Sequence, residues 1–255
     1  MGICCIQLVH ALVIMLGPIT FGAILCYPSP TASEIQAHHG LKDDAIQWSF
    51  YNSVSSLFAI AGPFGSTGIL KWMRQSRKKT CFVIACFGVA FWLLNLLTKV
   101  NIWAGIVIRA FLGIVMGAYS SIAPLYLVEI APADVSGFFG CLNQIGIVFF
   151  DFIGPSLTYM TLNYVGAAVC GLQAILIWFI EESPVVEQLL RQQEKEAQAN
   201  EEPRKKDSLW QKKYAFGLCS GILMMFFQQF SGINAILTNL ADLMDESGLE
   251  LDGSY

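Results

Sequence analysis

The chain has 255 residues, of which 55% are hydrophobic and only 13% charged, with a mean hydropathy of +0.56 and a formal net charge of −4. A soluble domain carries charge on about a quarter of its residues, so this composition excludes an ordinary water-soluble fold. It predicts an all-α polytopic membrane protein, because a bilayer core about 30 Å thick takes roughly 20 apolar residues per helix and apolar runs of that length recur along the chain.

The first run, Ile3 to Pro28, is longer than a signal-peptide core and lacks a basic flank, so it is expected to stay as a helix at about residues 5–27. Gly17, Pro18 and Gly22 mark it as kinked or closely approached. Ser29–Gln47 reads as an outer loop, whose His38, His39, Asp43 and Asp44 are expected to be solvated rather than metal-bound. Helix 2 follows at about 48–72, carrying Gly62, Pro63, Gly65 and Gly68. Helix 3 is expected at about 80–98 and helix 4 at about 102–123. A loop, Pro124–Asp134, leads to helix 5 at about 135–157 and helix 6 at about 160–180. Glu181–Lys213 is polar; Val185–Asn200 within it reads either as a cytoplasmic helix ended before Pro203 or as a solvated linker. Helix 7 is expected at about 214–240, before an acidic tail, Asp242–Tyr255.

The layout is six helices, a charged linker and one more helix, which is that of half a transporter. The expected divisions are a bundle over 1–181, a linker over 182–213, and the start of a second bundle over 214–255. Twelve of the 15 Lys and Arg lie in two clusters, between helices 2 and 3 and between helices 6 and 7. Positive loops stay cytoplasmic, which puts the N-terminus inside and the tail outside. The eight cysteines show no zinc or redox spacing and read as small apolar side chains; Cys4 and Cys5 are candidate palmitoylation sites.

Four groups of residues stand out. Arg109 lies inside an apolar run, with Gly113 and Gly117 after it at spacings of four that allow close helix approach. Asp151 follows Gln144 by seven residues, on the same helix face. At 1.5 Å per residue Asp151 and Arg109 fall at nearly the same depth, which predicts an ion pair, direct or through water. The amides Gln144, Gln228, Gln229 and Asn234 sit in apolar helices. An amide both donates and accepts, which suits a neutral hydroxyl-rich ligand; the alternative is amide glue between helices. Arg74, Glu129 and Glu182 sit at inner helix ends, as surface charge or as an inner latch. No HExxH, Walker loop or pair of catalytic carboxylates occurs, so neither an enzyme, a cofactor, a metal nor a nucleic-acid partner is expected.

With these motifs in place, the chain resembles the sugar porter family of the major facilitator superfamily over nearly its whole length. The resemblance rests on Arg109 with Gly113 and Gly117, and on Pro124, Tyr126, Glu129, Pro132, Gly137 and Gln144. It continues with Glu182-Ser183-Pro184 and with the run from Gln228 to Asn234. It implies a sugar site at mid-membrane between two six-helix halves, with alternating access. Gln144, Gln228, Gln229 and Asn234 would bind sugar hydroxyls. Arg74, Glu129 and Glu182 would form an inner charge network that holds the outward-open state.

Several positions depart from the family pattern. The loop 2–3 motif lacks its acid at Met73, Ser136 stands where an arginine is usual, and Val185 replaces the arginine after Glu-Ser-Pro. The inner latch is therefore expected to be weak. Thr238 and Asn239 replace paired tyrosines at the outer gate. Ile24 stands where proton symporters carry Asp, which argues for facilitated diffusion, with Asp151 as the alternative proton carrier. Helices 8–12 of the family's twelve do not follow. The expected function is transport of a sugar, a hexose, across the plasma membrane, completed by a C-terminal half or a partner chain. The alternative is a transport-inactive sugar sensor or a regulatory partner of a full-length porter.

Overall fold

The computed structural model describes residues 5–42, 45–154, 157–198 and 212–232. They form ten α-helices, with no strand among the described residues: α1 Cys5–Cys26, α2 Pro28–His39, α3 Ile46–Ala59, α4 Gly62–Trp72, α5 Arg77–Leu94, α6 Ile102–Ile130, α7 Ser136–Ile153, α8 Tyr159–Leu176, α9 Pro184–Gln198 and α10 Lys212–Phe230. Short 3-10 turns extend α5 over Asn95–Lys99 and α8 over Ile177–Phe179. Spans of membrane-crossing length and hydropathy run over Ile6–Cys26, Arg77–Lys99, Ile102–Ile130 and Tyr159–Phe179, and α3 with α4 makes a fifth, bent by 41°. The apolar stretches Ser136–Phe150 and Ala215–Gln228, in α7 and α10, are shorter.

Three expectations need correction. The outer loop is largely a helix, α2, begun by Pro28 and closed by Gly40 in the left-handed region at φ 61°. It has no amphipathic pattern and is held by tertiary contacts. The Glu34 carboxylate accepts from Lys99 Nζ (2.5 Å) and from the Tyr159 N–H (3.2 Å), while His38 and His39 Nε2 lie 2.8 and 2.7 Å from the Lys99 and Thr98 carbonyls. Helix 2 is broken at Ile60–Ala61. Helix 4 is not broken: α6 passes through Pro124 to Ile130, because Tyr126 and Leu127 are fully buried and the Tyr126 hydroxyl donates to Glu181 O (2.5 Å). Of the two readings of the linker, the helix forms, as α9.

The core is assembled on α6, which contacts α1, α3, α4, α5 and α7. Arg109, Gly113 and Gly117 recur every four residues and share one face. That face seats α3. A Cβ on Gly113 would overlap Ser55 O, and one on Gly117 would overlap Ala59 O, so the two backbones meet where no side chain fits. The opposite pair, α5 and α8, is closed by Gly88 against Cys170 and Gly166 against Trp92.

A buried amide cluster joins the Glu34 ends of α1, α5 and α8. Asn95 Nδ2 donates to Asn163 Oδ1 (2.8 Å), Asn163 Nδ2 donates to the Tyr27 hydroxyl (2.8 Å) and to Tyr159 O (2.7 Å), and the Tyr159 hydroxyl donates to Asn95 O (2.8 Å). All four residues are 0% exposed. Asn163→Ala strands the Asn95 Nδ2 donor, and a buried group left unpaired costs about 1–3 kcal/mol. A lower midpoint of thermal unfolding in detergent is the expected result, and an unchanged midpoint would contradict it.

Candidate functional site

The functional side chains fall into three groups: at the basic end of the helices, deeper among α1, α3 and α6, and on the apolar helices α7 and α10. At the basic end, Ser76 caps α5 by accepting from the Lys79 N–H (3.2 Å). The Glu182 carboxylate reaches the same helix start. It accepts from the Ser76 hydroxyl, from the Arg77 N–H (3.0 Å) and from the Lys78 N–H (3.2 Å), where the helix dipole favours negative charge. Lys78 returns the contact: its Nζ donates to Trp178 O (2.7 Å) and Ile180 O (2.9 Å) at the C-terminal end of α8. Each helix thus caps the other. Arg77 forks onto Glu129 of α6, with Nε to Oε2 at 3.1 Å and Nη2 to Oε1 at 2.9 Å. The pair is nearly dry, at 7% and 10% side-chain exposure.

The latch expected from Arg74, Glu129 and Glu182 therefore includes both acids but uses Arg77. Arg74 lies in the turn after α4 with φ 53°, exposed, and makes no ion pair among the described residues. Two consecutive residues with positive φ, Arg74 and Gln75, reverse the chain there, which directs Arg77 rather than Arg74 at α6.

Deeper in the bundle, Arg109 is 0% exposed. Its Nη1 donates to the Ile24 carbonyl of α1 (3.1 Å) and its Nη2 to the Ser55 hydroxyl of α3 (3.0 Å). The guanidinium lies 5.1 Å from the Tyr27 ring and 5.3 Å from the Tyr51 ring, where aromatic faces attract a cation. Arg109 ties three helices together without a carboxylate among the described side chains. Asp151 belongs to α7, but its side chain lies outside the described residues, and so does the ion pair expected of it.

The third group is the amides. Gln144 on α7 and Gln228 on α10 are exposed, and neither side chain is hydrogen-bonded among the described residues. They stand on apolar helices, where a polar group without a partner is costly. The side chain of Gln229 and all of Asn234 lie outside the described residues. Sequence reasoning missed Ser76, Arg77, Lys78, Ser55, Asn95 and Asn163. The last two carry the signal that singled out Gln144: a lone amide in an apolar run.

Comparison with known proteins agrees with this geometry. The family profile "Sugar (and other) transporter" matches residues 21–252. The chain is similar to sugar transporter ERD6-like 12 of Arabidopsis thaliana, at 30% identity over 88% of this chain and 54% of the relative. It is also similar to ERD6-like 1 of the same plant, at 28% over 98% and 60%. The chain thus spans little more than half the length of these curated relatives. Among solved structures, it superposes on the partially occluded inward-open conformation of the xylose transporter XylE from E. coli with a TM-score of 0.65, at 21% identity, covering 94% of this chain and 67% of that one. A D-xylose-proton symporter crystal structure gives the same score and identity over 94% and 62%. These two establish the fold, a major facilitator arrangement. With a profile matching most of its residues and a multi-pass helical body of that fold, the chain belongs to the family of sugar and related transporters.

Proposed function

We propose that the protein carries a hexose across the plasma membrane by facilitated diffusion. In this reading α1 to α8 form its N-terminal bundle, α9 its cytoplasmic linker and α10 the first helix of a second bundle. That bundle comes from the rest of the protein or from a partner chain and closes the sugar site. The basic end faces the cytoplasm, as does the N-terminus. The observation that carries the reading is the pair of unpartnered amides, Gln144 and Gln228, on apolar helices of a sugar-transporter chain. An amide donates and accepts at once and so matches a sugar hydroxyl. Gln229 and Asn234 extend the same set by sequence.

Facilitated diffusion rather than proton symport is supported by the surroundings of Arg109. Its partners are a carbonyl, a hydroxyl and two aromatic faces. Ile24, at the position where the resemblance places a symporter's carboxylate, offers Arg109 only its backbone.

The test is uptake of labelled hexose by the full-length protein in liposomes. The expected uptake is saturable and indifferent to an imposed pH gradient. Gln144→Ala or Gln228→Ala should raise the half-saturation concentration about tenfold, the worth of one hydrogen bond near 1.4 kcal/mol. Uptake that requires an inward proton gradient would replace facilitation with symport. Sugar binding with no uptake would favour the sensor.

A further inference from the structure

Two prolines lie in neighbouring helices at nearby depths, each beside serine or threonine hydroxyls that turn back on helix carbonyls. Pro63 stands in the first turn of α4, just after the 41° bend at Ile60–Ala61. Having no N–H, it cannot bond the Ala59 carbonyl, which instead lies on Gly117 of α6. The Pro63 carbonyl is taken by the hydroxyls of Ser66 (3.0 Å) and Thr67 (2.7 Å). In α6, Pro124 leaves the Ser120 carbonyl without its helical donor. The hydroxyls of Ser120 and Ser121 turn back on Gly117 O (2.7 Å) and Ala118 O (2.9 Å). Proline and back-bonded serine are both recognised causes of helix bending. The two weak turns meet directly, since Ser66 Oγ lies 2.8 Å from Ser121 Oγ; a hydroxyl has one hydrogen, so whichever serine donates across gives up its own backbone carbonyl.

The regions on either side are stiff. Towards the Glu34 end, Gly113 and Gly117 seat α3 on α6 backbone to backbone. At the basic end, Glu129 and Tyr126 fasten α6 to Arg77 and Glu181. Beside the break there is room: a groove of about 260 Å³ opens between α4, α5 and α6, along Gly65, Ile69, Phe87 and Phe111, and a Cβ on Gly65 or Gly68 would meet nothing. The tip of α4 turns Trp72 outward, 76% exposed, and a four-residue turn, Met73–Ser76, joins it to the start of α5.

We propose that α4 and the basic end of α6 bend together during transport, with hinges at Ile60–Pro63 and Ser120–Pro124 and the Ser66–Ser121 bond as their coupling. The bundle then does more than rock as one rigid body: it opens its basic end by swinging α4 into the adjoining groove. The proposal rests on the transport reading above, since it assigns a movement to that cycle.

The test places spin labels at Lys71, on the tip of α4, and at Phe179, at the same basic end of the bundle on the turn after α8, in the full-length protein. Both sites are exposed and both belong to one bundle, so rigid rocking leaves their separation fixed. α4 has 11 residues; at that length, about 16 Å, a change of about 15° in its bend moves the tip about 4 Å. A shift of that size on adding saturating hexose is expected. Pro63→Ala with Pro124→Ala should abolish the shift and lower the maximal rate about tenfold with the half-saturation concentration unchanged, as for a conformational step. Ser66→Ala, which leaves both prolines in place, should reduce the shift without abolishing it. A fixed separation alongside normal wild-type uptake overturns the hinge and leaves transport standing. A shift without uptake upholds the hinge and overturns transport. Neither shift nor uptake overturns both.

Discussion

Gly117→Leu is expected to abolish the folded protein. A Cβ at this position would overlap Ala59 O and stand 2.8 Å from Ala59 C and 3.0 Å from Ala59 Cα. These are backbone atoms of a neighbouring helix and cannot rotate away as a side chain would. For α3 to retreat, it would have to release the Ser55 hydroxyl from Arg109, now at 3.0 Å, and the Ser55 carbonyl from Gly113. Overpacking a core costs about 1–3 kcal/mol where side chains absorb it; here the backbone would have to move, and total stability is only about 5–15 kcal/mol. The check is size-exclusion chromatography in detergent, where the monodisperse peak should disappear. Gly140→Ala is the control. It lies on α7 with nothing near its Cβ position, and it should keep the peak and the thermal midpoint. A normal peak from Gly117→Leu would mean that α3 is not seated on this face of α6.

The same stretch shows which parts of the fold can be read from sequence. The membrane helices are legible because length and hydropathy report burial in hydrocarbon, and the spacing of Arg109, Gly113 and Gly117 reports a shared face. Proline is read less well. Pro63 and Pro124 both sit in apolar runs, and the expected outcomes are reversed: the helix breaks beside Pro63 and continues through Pro124. Contacts from distant elements decide between them. Gly62 lies against the Gly117 backbone beside the bend, whereas Tyr126 and Glu129 are held by the Glu181 carbonyl and by Arg77 of α5. α2 escapes notice for the same reason, since Glu34, His38 and His39 find their partners on other elements. In the candidate site, the lone amides Gln144 and Gln228 stand on apolar helices as their sequence setting implies. Arg74 and Arg77 belong to one basic cluster, and only the left-handed turn at Arg74 and Gln75 determines which of them faces Glu129.

That choice supports the second large effect. Arg77→Met should destabilise the protein by about 3–5 kcal/mol, the cost of leaving one partner of a buried ion pair alone. The Glu129 side chain is only 10% exposed, and Arg77 supplies both of its charged donors. Glu129→Gln keeps an acceptor for the fork and removes the charge, so its loss should be smaller. Arg77→Met combined with Glu129→Leu should recover most of the stability, because a buried pair replaced by apolar groups is often neutral. Thermal unfolding in detergent measures all three, and a coupling of about 1 kcal/mol or more is expected for residues in direct contact. Simple additivity would show that the two act independently. The location of the pair also decides how it acts. Arg77 begins α5 and Glu129 ends α6, so the bond closes one bundle on itself, and its loss should appear in stability before it appears in transport rate. Loss of transport at unchanged stability would instead assign the pair to a gate between the two halves, the role that the resemblance implies. Arg74→Ala provides the comparison: exposed and outside the pair, it should leave the thermal midpoint unchanged.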